Sequence, residues 1–141
     1  MARPTHLCAA EFGLQFGPEP AETVATRGYV AWDVTPWLSL QAGALIVHQG
    51  AIPDVTPMFH TTGPIFASIG VGFGDNQVNN GRQTKGAIFH DVVGLGYTMT
   101  EHSAALFNVQ HWSNGWPHNP VFGVSPNGGY TAVTLGLAYR F

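Results

Sequence analysis

The chain has 141 residues, about one domain, and only 9% of them are charged against roughly 25% in an ordinary soluble domain, while the hydrophobic fraction is 45%. Lys and Arg number 5 and Asp and Glu 8, a formal net charge of -3 with no basic cluster, which argues against nucleic acid as a partner. The single cysteine, Cys8, excludes an intramolecular disulfide framework, and no apolar run reaches the ~18 to 20 residues of a membrane-spanning helix.

The start of the chain lacks a charged segment followed by an apolar stretch, so the expectation is either a cytoplasmic protein or one whose signal peptide has been removed. Residues 1–10 are expected to form a tail, periplasmic if the rest is a membrane barrel. Sparse charge without a spanning helix leaves two readings, a compact soluble β protein or a barrel whose outer wall faces lipid.

From residue 12 onward the pattern has period two, as strands require. Phe12, Leu14 and Phe16 alternate with Gly13, Gln15 and Gly17; Val30, Trp32 and Val34 alternate with Tyr29, Ala31 and Asp33. Leu38, Leu40, Ala42, Ala44 and Ile46 share one face, opposite Ser39, Gln41 and Gly43. A weaker run lies near Val55 to Thr61, followed by Ile65, Ala67, Ile69, Val71 and Phe73 against Phe66, Ser68, Gly70 and Gly72. Val93, Leu95, Tyr97 and Met99 face away from Gly94, Gly96 and Thr98, and Ala105, Phe107 and Val109 away from Ala104, Leu106, Asn108 and Gln110. Last, Val133, Leu135, Leu137, Tyr139 and Phe141 alternate with Ala132, Thr134, Gly136, Ala138 and Arg140.

The predicted connections alternate in length: longer at 18–23, short at 35–36, longer at 49–54, short at 62–63, long at 75–83, short at 100–102 and long at 114–129. Outer-membrane barrels alternate short periplasmic turns with longer extracellular loops in this way. Trp32, Trp37, Tyr97, Trp112, Trp116 and Tyr139 lie near predicted strand ends, where interfacial aromatic girdles belong. The expected architecture is a single all-β domain over residues 1–141, an eight-stranded antiparallel up-and-down transmembrane β-barrel of the outer membrane. A soluble barrel of the lipocalin type, apolar inside and polar outside, is the alternative. It would place charges on one face of most strands, where this chain has Gly, Ala, Ser, Thr and Gln.

Chemistry-bearing residues concentrate at 110–115, where a strand meets the longest connection. His111 and Ser113, two apart, share the face of Phe107 and Val109. Serine is a weak nucleophile without an adjacent base, which histidine supplies near neutral pH. Straight-strand spacing separates the two side chains by ~6.5 to 7 Å at their bases, so contact needs rotamers that lean together. Asn114, Gly115 and Asn127 could donate to an oxyanion. The bland alternative is a polar pair that meets interfacial water and headgroups. His48, His60, His90, His102 and His118 are scattered without zinc-ligand spacing, and no phosphate or dinucleotide loop is present, so neither a metal nor another cofactor is expected.

The segments Asp91-Val92-Val93-Gly94-Leu95-Gly96, His111-Trp112-Ser113-Asn114-Gly115, Pro126-Asn127-Gly128-Gly129 and Leu137-Ala138-Tyr139-Arg140-Phe141 together resemble the lipid A 3-O-deacylases called PagL. In the first half the resemblance is in strand pattern only. It implies an outer-membrane esterase acting on lipid A of lipopolysaccharide, with His111 as general base, Ser113 as nucleophile and Asn114 as a positioning residue. The Gly115 N–H and the Asn127 side chain would form the oxyanion hole. The family's third catalytic residue is a glutamate early in the last strand; the matching position here is Thr131, and the loop before Pro126 is longer than the family pattern.

Pairing arithmetic offers a substitute. A three-residue turn at Thr100, Glu101 and His102 pairs Met99 with Ser103, and the same register sets Asp91 opposite His111. Asp91 is therefore expected to orient His111 where Thr131 cannot, with a bulge or an inward-facing Asp91 as the competing reading. An apolar groove beside Phe107 and Val109 suits an acyl chain. A catalytically silent barrel of the same fold, structural or adhesive, remains the runner-up. A homodimer is also compatible, since lipid-facing and protein-facing walls look alike.

Overall fold

The computed structural model describes residues 6–16, 24–47, 50–76, 86–113 and 130–141. Among them the chain forms β1 (His6–Phe16), β2 (Val24–Thr35), β3 (Leu38–Val47), β4 (Gly50–His60), β5 (Ile65–Asn76), β6 (Gly86–Thr98), β7 (Ser103–Ser113) and β8 (Tyr130–Arg140). The architecture is all-β, antiparallel and up-and-down: each strand pairs with its sequence neighbours, and β1 meets β8 from Leu7↔Arg140 to Phe16↔Thr131, so the ladder closes on itself as a barrel. Turns at 36–37, 61–64 and 99–102 lie at one end of the wall, together with the start of β1 and the end of β8.

The period-two pattern becomes two faces. Ile65, Phe73, Leu135 and Leu137 are 69, 64, 66 and 63% exposed on the outside, and Val30, Leu40, Ile69, Leu95 and Phe107 share that face. Inside lie Arg27, Gln41, Asp54, Thr56, His90, Asn108, Gln110 and Thr134. Apolar outside and polar inside is the inverse of a soluble barrel, so the lipocalin alternative fails.

Three expectations need correction. Residues 50–54 belong to β4 rather than to a longer connection, so the alternation of loop lengths does not hold between β3 and β4. Pro53 reads as a connection residue, whereas Pro57 falls in the weaker run; a strand accommodates proline where its ladder asks for no N–H, since proline has none to give. The β4–β5 register runs Asp54↔Gly74, Val55↔Phe73 and then Met58↔Gly70, skipping Thr56 and Pro57. The second correction is that β1 starts at His6, so residues 6–10 are strand rather than tail. Finally, Trp112 is no girdle residue: it faces inward, fully buried, because its parity is that of Gln110 rather than His111.

The interior is layered. Leu45, Ile52, Ile88, Trp112 and Ala132 form one apolar cluster; Tyr29, Ala31, Leu106 and Ala138, with Phe66 and Ala104 against them, form another. On β3, β4, β6, β7 and β8 the polar band falls at positions after or before these clusters, between the two ends. Arg27 donates from Nε to Asp54 Oδ2 at 3.2 Å, from Nη2 to Asp54 Oδ1 at 2.6 Å and from Nη1 to Gln41 Oε1 at 3.1 Å. Thr56 donates to Asp54 Oδ1 at 3.0 Å and lies 2.7 Å from His90 Nδ1. The opposite His90 nitrogen donates to Gln110 Oε1 at 2.9 Å, and Gln110 Nε2 donates to Thr134 Oγ1 at 2.9 Å. Gly72 makes room for this band, because a Cβ there would overlap the Val55 carbonyl and the Thr56 hydroxyl.

A buried ion pair is sensitive to losing one partner, since the other charge is left uncompensated. Arg27→Met is expected to destabilise the barrel by about 3 to 5 kcal/mol. Adding Asp54→Leu to it should recover most of that loss. Urea unfolding of the refolded barrel in detergent checks both.

Candidate active site

The β6–β7 hairpin sets the geometry. Met99 N–H donates to Ser103 O at 2.9 Å across the three-residue turn, and the register continues through Tyr97↔Ala105 and Val93↔Val109 to Asp91↔His111. On the other side, β7 and β8 pair Val109↔Val133 and His111↔Thr131. Asp91, His111 and Thr131 thus form one row across three strands on the outward face, with Ser113 in the next row, opposite Phe89. Toward the short-turn end follow Val93, Val109 and Val133, then Leu95, Phe107 and Leu135, then Tyr97, Ala105 and Leu137.

His111 Nδ1 hydrogen-bonds Thr131 Oγ1 at 2.8 Å. The expectation that Asp91 orients the ring is therefore corrected: Asp91 stands opposite His111, but the ring nitrogen nearer the backbone is held from the β8 side, by the hydroxyl. Both Asp91 carboxylate oxygens and His111 Nε2 are buried without a hydrogen-bond partner. Asp91, His111 and Ser113 are 2, 3 and 4% exposed, so the polar row is enclosed, whereas Phe107 in the rows below is 44% exposed. Ser113 shares the His111 face, and the unpartnered Nε2 means that the serine–histidine hydrogen bond is not made in this resting arrangement. Such bonds often tighten only once substrate is present. Asn114, Gly115 and Asn127 lie outside the described residues.

Behind the row the inner face supplies support that the sequence reading missed. His90 pairs across the ladder with Trp112, and their rings stack at 4.4 Å and 9°. His90, Gln110 and Trp112 are each one residue from Asp91, His111 or Ser113, so the buried band and the stack are attached to the backbone of the outer row. The usable signal was parity: on β6 and β7 these residues share the inner face in adjacent rows. No cluster of three or more His, Cys, Asp or Glu that could hold a metal ion occurs among the described residues.

Chemically, the row offers an imidazole held at Nδ1 and without a partner at Nε2, a serine on the same face, a carboxylate across the ladder, and apolar rows leading away. The family model of lipid A 3-O-deacylase (PagL) matches residues 10–140. No curated protein matches the chain in sequence. Among solved structures, a de novo designed transmembrane β-barrel is similar at TM-score 0.67 and 16% identity, over 100% of this chain and 98% of that one. Neisserial surface protein A is similar at TM-score 0.67 and 11% identity, over 97% of each chain. The N-terminal β-barrel domain of Pseudomonas aeruginosa OprF is similar at TM-score 0.63 and 16% identity, over 96% of this chain and 97% of that one. At these identities the likeness concerns the fold.

Thr131→Val keeps the side-chain shape and removes the only hydrogen bond seen on the His111 ring. The ring is then expected to lose its single tautomer, read as averaging of its two ring-nitrogen NMR shifts; two distinct, unchanged shifts would show that Thr131 does not set it.

Proposed function

The chain belongs to the lipid A 3-O-deacylase (PagL) family, and from that membership we propose that it is an outer-membrane serine esterase that removes the 3-O-linked acyl chain of lipid A. In this reading the eight strands span the membrane, the apolar exterior lies in lipid, and lipid A enters laterally from the outer leaflet. The observation that carries it is the sidedness of His111: Nδ1 is held by Thr131, Nε2 has no hydrogen-bond partner, and Ser113 shares its face above an apolar track. In serine hydrolases the base is oriented through one ring nitrogen and works through the other.

Ser113 Oγ attacks the ester carbonyl while its proton passes to His111 Nε2. The tetrahedral oxyanion is held by the Asn127 side chain and the Gly115 N–H, the donors that the family resemblance assigns. The C–O bond to the sugar breaks, and the Nε2 proton goes to the departing sugar oxygen. Water then attacks the acyl-enzyme, giving its proton to Nε2, and collapse releases the fatty acid as the proton returns to Ser113. Phe107 and Val109, with Leu95, Val93, Val133 and Leu135 beside them, would line the acyl chain's path.

A second reading, a silent barrel of the same fold with a structural or adhesive role, is favoured by one observation: a hydroxyl rather than a carboxylate holds His111. Mass spectrometry of lipid A incubated with the refolded protein separates the two. The esterase reading expects loss of one hydroxyacyl chain with the unmutated protein and none with Ser113→Ala. Intact lipid A from a folded sample, with a known deacylase active alongside, would favour the silent barrel.

A further inference from the structure

The third member of a serine–histidine unit has two tasks. It fixes the tautomer of the imidazole, and its negative charge stabilises the imidazolium formed when the serine gives up its proton. A hydroxyl can do the first and not the second, because it carries no charge. The Thr131 hydroxyl occupies the orienting position on Nδ1. The charge has to come from elsewhere.

Asp91 is placed to provide it. It is the cross-strand partner of His111 on β6, and directly opposed residues have Cβ atoms ~4.5 to 5.5 Å apart. It faces the same side of the wall as Val93 and Leu95, while Arg27, Asp54 and His90 are buried in the hydrogen-bonded band on the other face. Its side chain is 2% exposed, and neither carboxylate oxygen has a hydrogen-bond partner. An unpartnered buried carboxylate destabilises a fold. Inside the barrel the contrast is plain, for Asp54 accepts from Arg27 through both oxygens and from Thr56 as well.

We propose that the two tasks are divided between the strands flanking β7: Thr131 on β8 orients His111, and Asp91 on β6 compensates the charge of its imidazolium. The proposal rests on the esterase reading above and makes Asp91 a positioning residue that acts through His111 rather than on the substrate. No new bond is involved. The proton still moves from Ser113 to Nε2 and on to the leaving oxygen; the role requires only that Asp91 carries its charge when the imidazolium forms.

The test compares the unmutated barrel, Asp91→Asn, Asp91→Asn with Thr131→Glu, and Ser113→Ala, all refolded in detergent. Three quantities are read: kcat and KM for lipid A deacylation, labelling of Ser113 by a fluorophosphonate, and the urea midpoint of unfolding. Asp91→Asn should lower kcat on the order of 100-fold, less than the ~10⁴-fold of losing both tasks at once, with KM unchanged. Its urea midpoint should stay level or rise, since a buried unpartnered charge has been removed. Moving the carboxylate to position 131 should restore at least ~10-fold of the lost kcat, one carboxylate then doing both tasks. An unchanged kcat in Asp91→Asn overturns the proposal, and so does a loss of kcat that tracks a lower midpoint, which would mark Asp91 as structural. If the double variant folds and recovers nothing, the charge role is overturned; if it does not fold, the single variant decides. Ser113 unlabelled in the folded, unmutated protein would overturn the esterase reading and this inference with it. Labelled Ser113 with kcat insensitive to Asp91→Asn would overturn only the division of tasks.

Discussion

Each strand's backbone groups point at its two neighbours, so a sheet of this kind loses its free edges only when its first strand meets its last. The β1–β8 ladder does this, from Leu7↔Arg140 to Phe16↔Thr131. Closure couples the strands, because a slip of one residue in any pairing would carry that strand's side chains to the opposite face. The alternation of faces is therefore fixed around the whole wall. Along β7 it puts Gln110 inside, His111 outside, Trp112 inside and Ser113 outside, and along β6 it separates His90 from Asp91. Chemistry and support alternate residue by residue on one backbone.

The two faces treat their polar groups differently. Arg27, Asp54, Thr56, His90, Gln110 and Thr134 are linked by hydrogen bonds across β2, β4, β6, β7 and β8. The outer row has one such bond, between His111 and Thr131, and leaves Asp91 and His111 Nε2 without partners. Satisfied buried networks rigidify a structure, whereas unsatisfied buried groups cluster where function needs them. The inner band and the His90–Trp112 stack hold β6 and β7 in place directly behind the row that is polar and incomplete. A site mounted on ladder strands rather than on loops keeps its geometry for the same reason.

Much of this was legible because period two and hairpin arithmetic are local. The outward set from Val93 to Phe141 follows from alternation alone, and the Asp91↔His111 register follows from a turn of three residues at 100–102. What stayed hidden depends on partners far apart in sequence. Pro53 reads as a loop residue because its tolerance in β4 comes from its place just before the ladder with β5, whose first pair is Asp54↔Gly74. Trp112 reads as an interfacial aromatic until its parity is weighed against its position near a strand end. His90 looks isolated in the sequence, since Asp54 and Thr56 lie 36 and 34 residues away. Thr131 was discounted because it lacks the charge of a carboxylate, although a hydroxyl suffices to hold a ring nitrogen at 2.8 Å.

On the esterase reading, the wall would also orient its substrate. From His111 to Ala105 the strand covers six residues, about 20 Å, and successive outward rows along it are Val93–Val109–Val133, Leu95–Phe107–Leu135 and Tyr97–Ala105–Leu137. If the wall spans the outer membrane, as the esterase reading has it, a lipid in the leaflet would lie with its tails along such rows and its polar end toward the Asp91–His111–Thr131 row. Much of the orientational freedom that a soluble esterase must remove from its substrate is then removed by the bilayer before contact, which lowers the entropic part of the barrier. On the esterase reading, a site made of side chains from three strands would then be enough, because the protein would have to align one ester with Ser113 and His111 rather than capture a whole molecule from water.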